Sequence, residues 1–201
     1  IKCSGCANDC VASIARADLS IIGTWRDKIR INQDAVQQHA KNGVDIQREV
    51  INMCPTRCMA WDGKKLEIGD EDCTKCMHCI NVLPMALKPG KDTGATLLLG
   101  AKAPILEGAI LSSVLVPFIK IEPPYQEIKD LIAKLWEFWD EHGKNRERIG
   151  ELIQRVGMGN FLEEVGIEPL PHMIKEPRAN PYVFYEEYFE EGDEESEEEE
   201  G

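Results

Sequence analysis

Eight cysteines stand in three tight groups along the 201 residues: Cys3, Cys6 and Cys10, then Cys54 and Cys58, then Cys73, Cys76 and Cys79. Secreted disulfide scaffolds are short and scatter their cysteines over loops. Cysteines two residues apart cannot all pair off, but their thiolates can converge on a metal. The grouping points to a reducing compartment, with the cytoplasm expected, and to a metal or metal-cluster site. Cys73-x2-Cys76-x2-Cys79 puts three thiolates in seven residues, a spacing that wraps one corner of an iron–sulfur cube. Zinc, whose ribbons use two separated Cys-x2-Cys pairs, is the competing reading.

The same loop resembles half of a bacterial two-cluster ferredoxin. There a fourth cysteine follows after three residues, precedes a proline and ligates the other cluster. Here that position is Leu83, before Pro84, while the mirror-image ending is present as Cys54-Pro55. Counting back from Cys54 by the same spacing reaches Val50, Gln47 and Val44. One cluster's four positions are therefore Val44, Gln47, Val50 and Leu83, none able to bind iron. The other's are Cys73, Cys76, Cys79 and Cys54, all cysteine. A single 4Fe-4S cluster is expected on these four. Cys58 fits neither set and is expected as a free thiol. His78 is expected as a hydrogen-bond donor near sulfur rather than a ligand.

The first group has a different character, because three cysteines so spaced cannot complete a four-thiolate site alone. Ser4-Gly5-Cys6-x3-Cys10, followed by Asp18-Leu19 and an apolar strand, resembles the sulfite and nitrite reductase family. In that family the Cys-x3-Cys pair joins an upstream Cys-x5-Cys pair around a 4Fe-4S cluster, and the last cysteine bridges to the iron of sirohaem. The resemblance makes Cys6 and Cys10 cluster ligands, with Cys10 the bridge. It makes Lys2 and Arg16 candidates for contact with sirohaem carboxylates or an anionic substrate. Cys3 receives no family role and is expected as a buried thiol. Catalytic residues are not named by it.

The likeness extends to organisation. A ferredoxin-like stretch interrupts two apolar strands, and Arg146-Glu147-Arg148-Ile149-Gly150-Glu151-Leu152 is similar to a charged, glycine-containing helix of sirohaem domains. The combination is similar to the dissimilatory sulfite reductases, and Leu83-Pro84 to their alpha-type subunit. The implied fold is α+β: the C-terminal part of a sirohaem sulfite reductase domain with an inserted ferredoxin-like module. Residues 1–42 would open the sirohaem domain, 43–92 form the insert, 93–180 continue the domain, and 181–201 form an acidic tail. The implied activity is six-electron reduction of sulfite to sulfide, using sirohaem and two 4Fe-4S clusters. A homologous beta subunit (two alpha plus two beta) and a small sulfur-carrier protein with a flexible cysteine arm are the implied partners. A non-catalytic ferredoxin-type electron carrier and a nitrite reductase of the same family are the alternatives.

Local patterns say what must position these thiols. Ala17–Trp25 reads as a buried strand. Asp34–Lys41 reads as a short helix stopped by Asn42-Gly43, and Asp45 can cap another running to Asn52. Asp62-Gly63 between Met59–Trp61 and Lys65–Ile68 signals a tight hairpin. A short helix should follow the Cys73 loop, and residues 88–92 punctuate the chain like a linker. Ala95–Gly100 is a second buried strand, with Gly100 and Ala101 leaving room for another backbone or a ligand. Residues 109–121 supply more strand or core. From Tyr125, the residues Ile128, Leu131, Ile132, Leu135, Trp136 and Trp139 form one apolar helical stripe, which makes both tryptophans core. Ile149–Val156 is another helix, closed by Gly157.

The net charge is −13, but Glu186–Gly201 holds eleven acids and no base, so the other 185 residues carry only −2. No basic face suits a phosphate backbone, which argues against nucleic acid. The longest apolar stretch, Ala109–Ile119, is about half the ~20 residues a spanning helix needs. The opening residues lack a signal-peptide apolar core and an initiator Met, so a piece of a longer polypeptide is expected. After Pro169, disorder is expected, or docking through Tyr182–Phe189.

Overall fold

The computed structural model of the chain describes residues 1–103 and 108–168. The acidic tail and its Tyr182–Phe189 segment lie outside the described residues. The chain divides into two compact units, residues 1–156 and 157–201. No helix among the described residues is long and apolar enough to cross a membrane.

The larger unit is built on a mixed four-stranded sheet in the order β1 (Lys2–Ser4), β2 (Leu19–Trp25), β7 (Thr93–Leu99), β8 (Ser113–Ile119). β1 lies parallel to β2, which requires a crossover, supplied by the four-residue helix α1 (Ala12–Ala15). β2 and β7 are antiparallel and pair without interruption from Leu19↔Leu99 to Trp25↔Thr93. The alternating and largely buried pattern of LSIIGTW and TGATLLL fits strands covered on both faces.

That ladder determines where the rest of the chain goes. β2 ends at Trp25, β7 begins opposite it at Thr93, and the Arg26 N–H donates to the Asp92 carbonyl at 2.9 Å. Residues 26–92 thus leave and return at one end of two neighbouring strands. Far from being a loose linker, residues 88–92 are tied down. β6 (Leu87–Lys88) pairs with β3 (Arg30–Ile31), and the Asp27 carboxylate accepts from the N–H groups of Lys91 and Asp92.

Inside the excursion, helix α2 (Gln33–Lys41) starts at Asn32, whose side chain accepts from the Ala35 N–H. A six-residue π-helical turn (Ile46–Ile51) follows. Asp45 caps the Arg48 N–H, and the Glu49 carboxylate reaches back to the Asp45 N–H. The expected hairpin is β4 (Met59–Trp61) with β5 (Leu66–Ile68). Its turn is held by Asp62 accepting from Lys64 and Lys65, with Gly63 at φ +88°. Helix α3 (His78–Val82) follows the cysteine loop. One apolar cluster joins Ile46, Val50, Met59, Leu66, Ile80, Leu83 and Leu87 to Trp25, Ile29 and Val36, upstream of residue 43.

Two packing expectations change. Helix α4 (Gln126–His142) buries Ile128, Leu135 and Phe138, whereas Trp136 is 50% exposed. Trp136 stands one residue, about 100°, round from Leu135, and Phe138 takes the inward place three residues on. Trp136 instead meets Trp139 edge-to-face, with centroids 5.8 Å apart. Cys3 is exposed, not buried, because β1 turns the alternate residue Ser4 inward. Helix α5 (Ile149–Val156) closes this unit. The second unit, as described, is helix α6 (Met158–Val165), begun at Gly157 and capped by left-handed Gly166, whose N–H meets the carbonyls of Leu162 and Glu163.

Candidate metal centre

The excursion gathers five thiols. Cys54, Cys58, Cys73, Cys76 and Cys79 line one cleft, partly open to solvent, together with Val50, Met59 and His78. Cys54 enters from the end of the π-helical turn, where Pro55 stops helical continuation. The three-cysteine loop bends sharply at Lys75 (φ +56°) and Met77 (φ +70°), both left-handed, and so directs Cys73, Cys76 and Cys79 onto one cleft. α3 then carries Cys79 in its first turn. One tether is local and the other reaches the π-helical turn. The Cys73 N–H donates to the Asp70 carbonyl, and His78 Nε2 lies 3.0 Å from the Glu49 carbonyl oxygen. His78 therefore braces the loop against the π-helical turn through backbone, and sulfur is not its partner.

Cys58 is a free thiol, as the sequence reading expects, and its Sγ lies 3.6 Å from Cys54 Sγ. Arg57, at φ +53°, closes the Cys54–Arg57 turn and folds Cys58 back over Cys54. The spacing signal was present as Cys-x3-Cys, but the ferredoxin pattern gave it no place.

The electrostatics of the thiols fit a cationic occupant. Burial pushes the Cys79 thiol up to about 12, and charge on Cys76, Cys73 and Cys54 adds to the effect. Burial likewise lifts Cys58 to about 11, helped by its contact with Cys54. Cys54 goes the other way. Burial opposes ionisation there, but the Cys58 backbone N–H and the Thr56 hydroxyl, 3.8 Å from its sulfur, favour the thiolate. Thiols that resist ionising side by side release their protons when a metal supplies the missing positive charge. Among the described residues, no three of these sulfurs lie within 4.8 Å of one another. A tetrahedral zinc, at about 2.3 Å per sulfur, would draw four to about 3.8 Å. The donor set is thus all sulfur and spread wider than one zinc ion would hold it.

The four positions where the ferredoxin pattern would place a second set of cysteines are filled otherwise. Val50 and Leu83 are fully buried in the apolar cluster, Val44 packs against it, and exposed Gln47 donates to the Asn52 side chain.

The first cysteine group sits apart, on the sheet. Cys6 and Cys10 occupy the loop from β1 to α1, each half-buried, and their carbonyls accept from Asp9 and Ser13. Gly23 on β2 has no Cβ to strike the Gly5 carbonyl, so the turn bearing Cys6 lies directly on the sheet. A buried hydroxyl chain, which sequence reasoning missed, fixes the loop's other end. Ser4 Oγ lies 2.5 Å from Ser13 Oγ, and Ser20 Oγ donates to the Ser13 carbonyl at 2.6 Å. Lys2 on β1 and exposed Arg16 after α1 flank the loop, and neither side chain has an acidic partner among the described residues. Arg16 contributes its carbonyl to the Arg148 guanidinium, which also grips Asp18 through two bonds of 2.5 and 2.8 Å.

A sheet bearing one cysteine loop and a side excursion bearing a thiol-lined cleft define a protein with two separate cysteine sites. Residues 1–174 match the family described as the nitrite and sulphite reductase 4Fe-4S domain, and the chain belongs to that family. Within it, the chain is similar to alpha subunits of dissimilatory-type sulfite reductase. It is 49% identical to that of Nitratidesulfovibrio vulgaris, over 92% of this chain and 46% of the relative. It is 44% identical to that of Megalodesulfovibrio gigas, over 81% and 90%. The beta subunit from Archaeoglobus fulgidus is 28% identical, over 94% and 51%. A crystal structure of dissimilatory sulfite reductase I superposes with a TM-score of 0.79 at 47% identity, over 90% of this chain and 45% of that one. The chain thus spans a little under half the length of the Nitratidesulfovibrio relative and of the solved structure.

Proposed function

We propose that the chain is the C-terminal half of a dissimilatory sulfite reductase alpha subunit, acting in the six-electron reduction of sulfite to sulfide at sirohaem. The observation that carries this reading is the convergence of Cys54 with Cys73, Cys76 and Cys79 on one cleft, in a chain of this family. These four thiolates hold a 4Fe-4S cluster in a ferredoxin-like module of residues 43–92, whose core is completed by Trp25, Ile29 and Val36. Cys6 and Cys10 would help hold a second 4Fe-4S cluster, and Cys10 is the residue that would link it to sirohaem. When bound, such clusters take up and give back single electrons at potentials tuned by the protein around their sulfurs.

The chain's own residues do the rest. Thr56 and the Cys58 N–H stabilise negative charge on the Cys54 sulfur, and Val50, Met59 and Ile29 keep one wall of the cleft apolar. Lys2 and Arg16, with no acidic partner among the described residues, offer positive charge beside the Cys6–Cys10 loop, suited to sirohaem carboxylates or to an anionic substrate. The functional assembly is two alpha with two beta subunits in the cytoplasm, and a small sulfur-carrier protein with a flexible cysteine arm takes the reduced sulfur. The similarity to both alpha and beta subunits supports such an assembly.

Anaerobic reconstitution of the full chain with iron and sulfide tests the module. About four irons per chain are expected from one cube, together with the broad visible shoulder of a cluster. Cys54→Ser, Cys73→Ser, Cys76→Ser and Cys79→Ser should each abolish it. Stoichiometric zinc with no iron uptake overturns the reading.

A further inference from the structure

Cys58 has no part in the function just proposed, yet the fold sets it against Cys54. Three observations single the pair out. The sulfurs are 3.6 Å apart. The intervening turn is closed by the Arg57 N–H on the Cys54 carbonyl and depends on left-handed Arg57, a conformation that a non-glycine residue rarely adopts. The Cys58 carbonyl is anchored from outside by the Gly69 N–H at 2.6 Å, which fixes the residue at the edge of the hairpin. Among the described residues no third thiol, imidazole or carboxylate comes within 4.8 Å of both sulfurs. Cys54, Cys73, Cys76 and Cys79 already supply the four thiolates one cube takes, so Cys58 is surplus to ligation.

We propose that Cys54 and Cys58 form a reversible disulfide when the cleft is metal-free, and that this oxidation withdraws Cys54 from the iron-binding set. The oxidant is a hydroperoxide. The Cys54 thiolate attacks the peroxide oxygen, the O–O bond breaks, and Cys54 becomes a sulfenic acid while the peroxide leaves as an alcohol or water. The Cys58 sulfur then attacks the Cys54 sulfur. The S–S bond forms, the S–O bond breaks, and the hydroxyl leaves as water with the Cys58 proton. Two electrons pass from the two thiols to one peroxide. Closing the bond needs about 1.5 Å of approach from the observed separation, within reach of side-chain rotation in a half-exposed turn. A dithiol reductant returns both thiols by exchange. Cys58 thereby intercepts the sulfenic acid before it can advance to the irreversible sulfinic acid. The consequence for iron loading rests on the assignment of Cys54 as a ligand, whereas the disulfide itself rests only on the geometry.

The test uses the full chain, stripped of iron anaerobically, treated with one equivalent of tert-butyl hydroperoxide, alkylated and digested with trypsin. Cleavage after Arg48, Arg57 and Lys64 separates the two cysteines, so the disulfide appears as residues 49–57 linked to residues 58–64, two hydrogens lighter than the free peptides together. Iron uptake after peroxide should fall to the level of Cys54→Ser and return after dithiothreitol. In Cys58→Ser, a second equivalent of peroxide should carry Cys54 from the sulfenic to the sulfinic acid, and dithiothreitol should not restore uptake. Linkage through Cys73, Cys76 or Cys79, or alkylation of both Cys54 and Cys58 after peroxide, overturns the proposal. If the untreated chain takes up no iron while the 54–58 linkage forms, the cluster assignment fails and the disulfide stands.

Discussion

Gly100 and Gly150 meet backbone to backbone: a Cβ built on Gly150 would fall on the Gly100 carbonyl, and one built on Gly100 would lie 3.2 Å from the Gly150 Cα. Gly100, at φ +93°, ends β7, and Gly150 is in the first turn of α5, so this contact sets the helix directly on the strand end. In a free helix Gly→Ala gains up to about 1 kcal/mol, but here the new methyl must displace a main chain. Overpacking costs about 1–3 kcal/mol, and the clash prevails. Gly150→Ala should lower the urea midpoint, while Gly159→Ala in α6, with open space around it, should leave it unchanged or raise it. Chemical denaturation of the two variants checks the opposite signs.

Arg148 ties the same junction by charge. Its guanidinium holds Asp18 through two bonds and also reaches the carbonyls of Arg16 and Ala101, and the Asp18 carboxylate raises it above its ordinary range. Lysine keeps the charge but cannot make the fork. With both side chains about one-third exposed, solvent screens part of the gain. Arg148→Lys should therefore cost about 1 kcal/mol. Equal stability of Arg148→Lys and wild type would show that charge alone suffices.

How far the sequence carried depended on whether a structural demand leaves a mark within a few residues. The Asp62-Gly63 turn, the Asp45 cap and the close approach at Gly100 are all local rules, and each is found where the residues place it. The convergence of Cys54 with the distant Cys73 loop was readable only because their spacing follows a known cluster pattern. Cys58 is the free thiol the sequence suggests, but its nearness to Cys54 was not legible: it arises from left-handed Arg57, a conformation arginine does not advertise. The chain Ser4–Ser13–Ser20 joins three elements through hydroxyls, and serine spacing carries no such signal. Trp136 shows the opposite failure, where an apolar residue one position off the stripe was counted with it.

Acid sensitivity should come partly from Glu147. The Arg155 guanidinium holds its carboxyl down to about 2 from an ordinary 4.5, helped by the Lys144 N–H. A carboxylate depressed by folding contributes stability in full above its unfolded value, and the contribution is lost as pH falls from about 4.5 towards 2. In Arg155→Gln, Glu147 returns towards 4.5 and that dependence disappears. Urea midpoints at pH 7, 4 and 2.5 should separate wild type from Arg155→Gln most at pH 7 and least at pH 2.5. A gap that stays constant with pH would assign the difference to packing instead.

Val50 and Leu83 occupy two of the four positions where a second cluster's thiolates would stand, and neither is exposed at all. Their apolar side chains bind the π-helical turn to α3 through the cluster they share with Ile46 and Ile80. Truncation leaves a cavity that close-packed neighbours fill only in part. Leu83→Ala should cost about 2–5 kcal/mol, and Val50→Ala less, since fewer buried atoms are removed. Because both side chains pack the module but offer no donor to the cleft, iron bound per folded chain should stay at the wild-type ratio in the soluble fraction. The discriminating measurement is iron content normalised to folded protein across a urea series. A loss of iron at denaturant concentrations where Leu83→Ala is still folded would mean that this packing holds Cys54 and Cys79 in place, and that the apolar set and the thiol set are one cooperative unit.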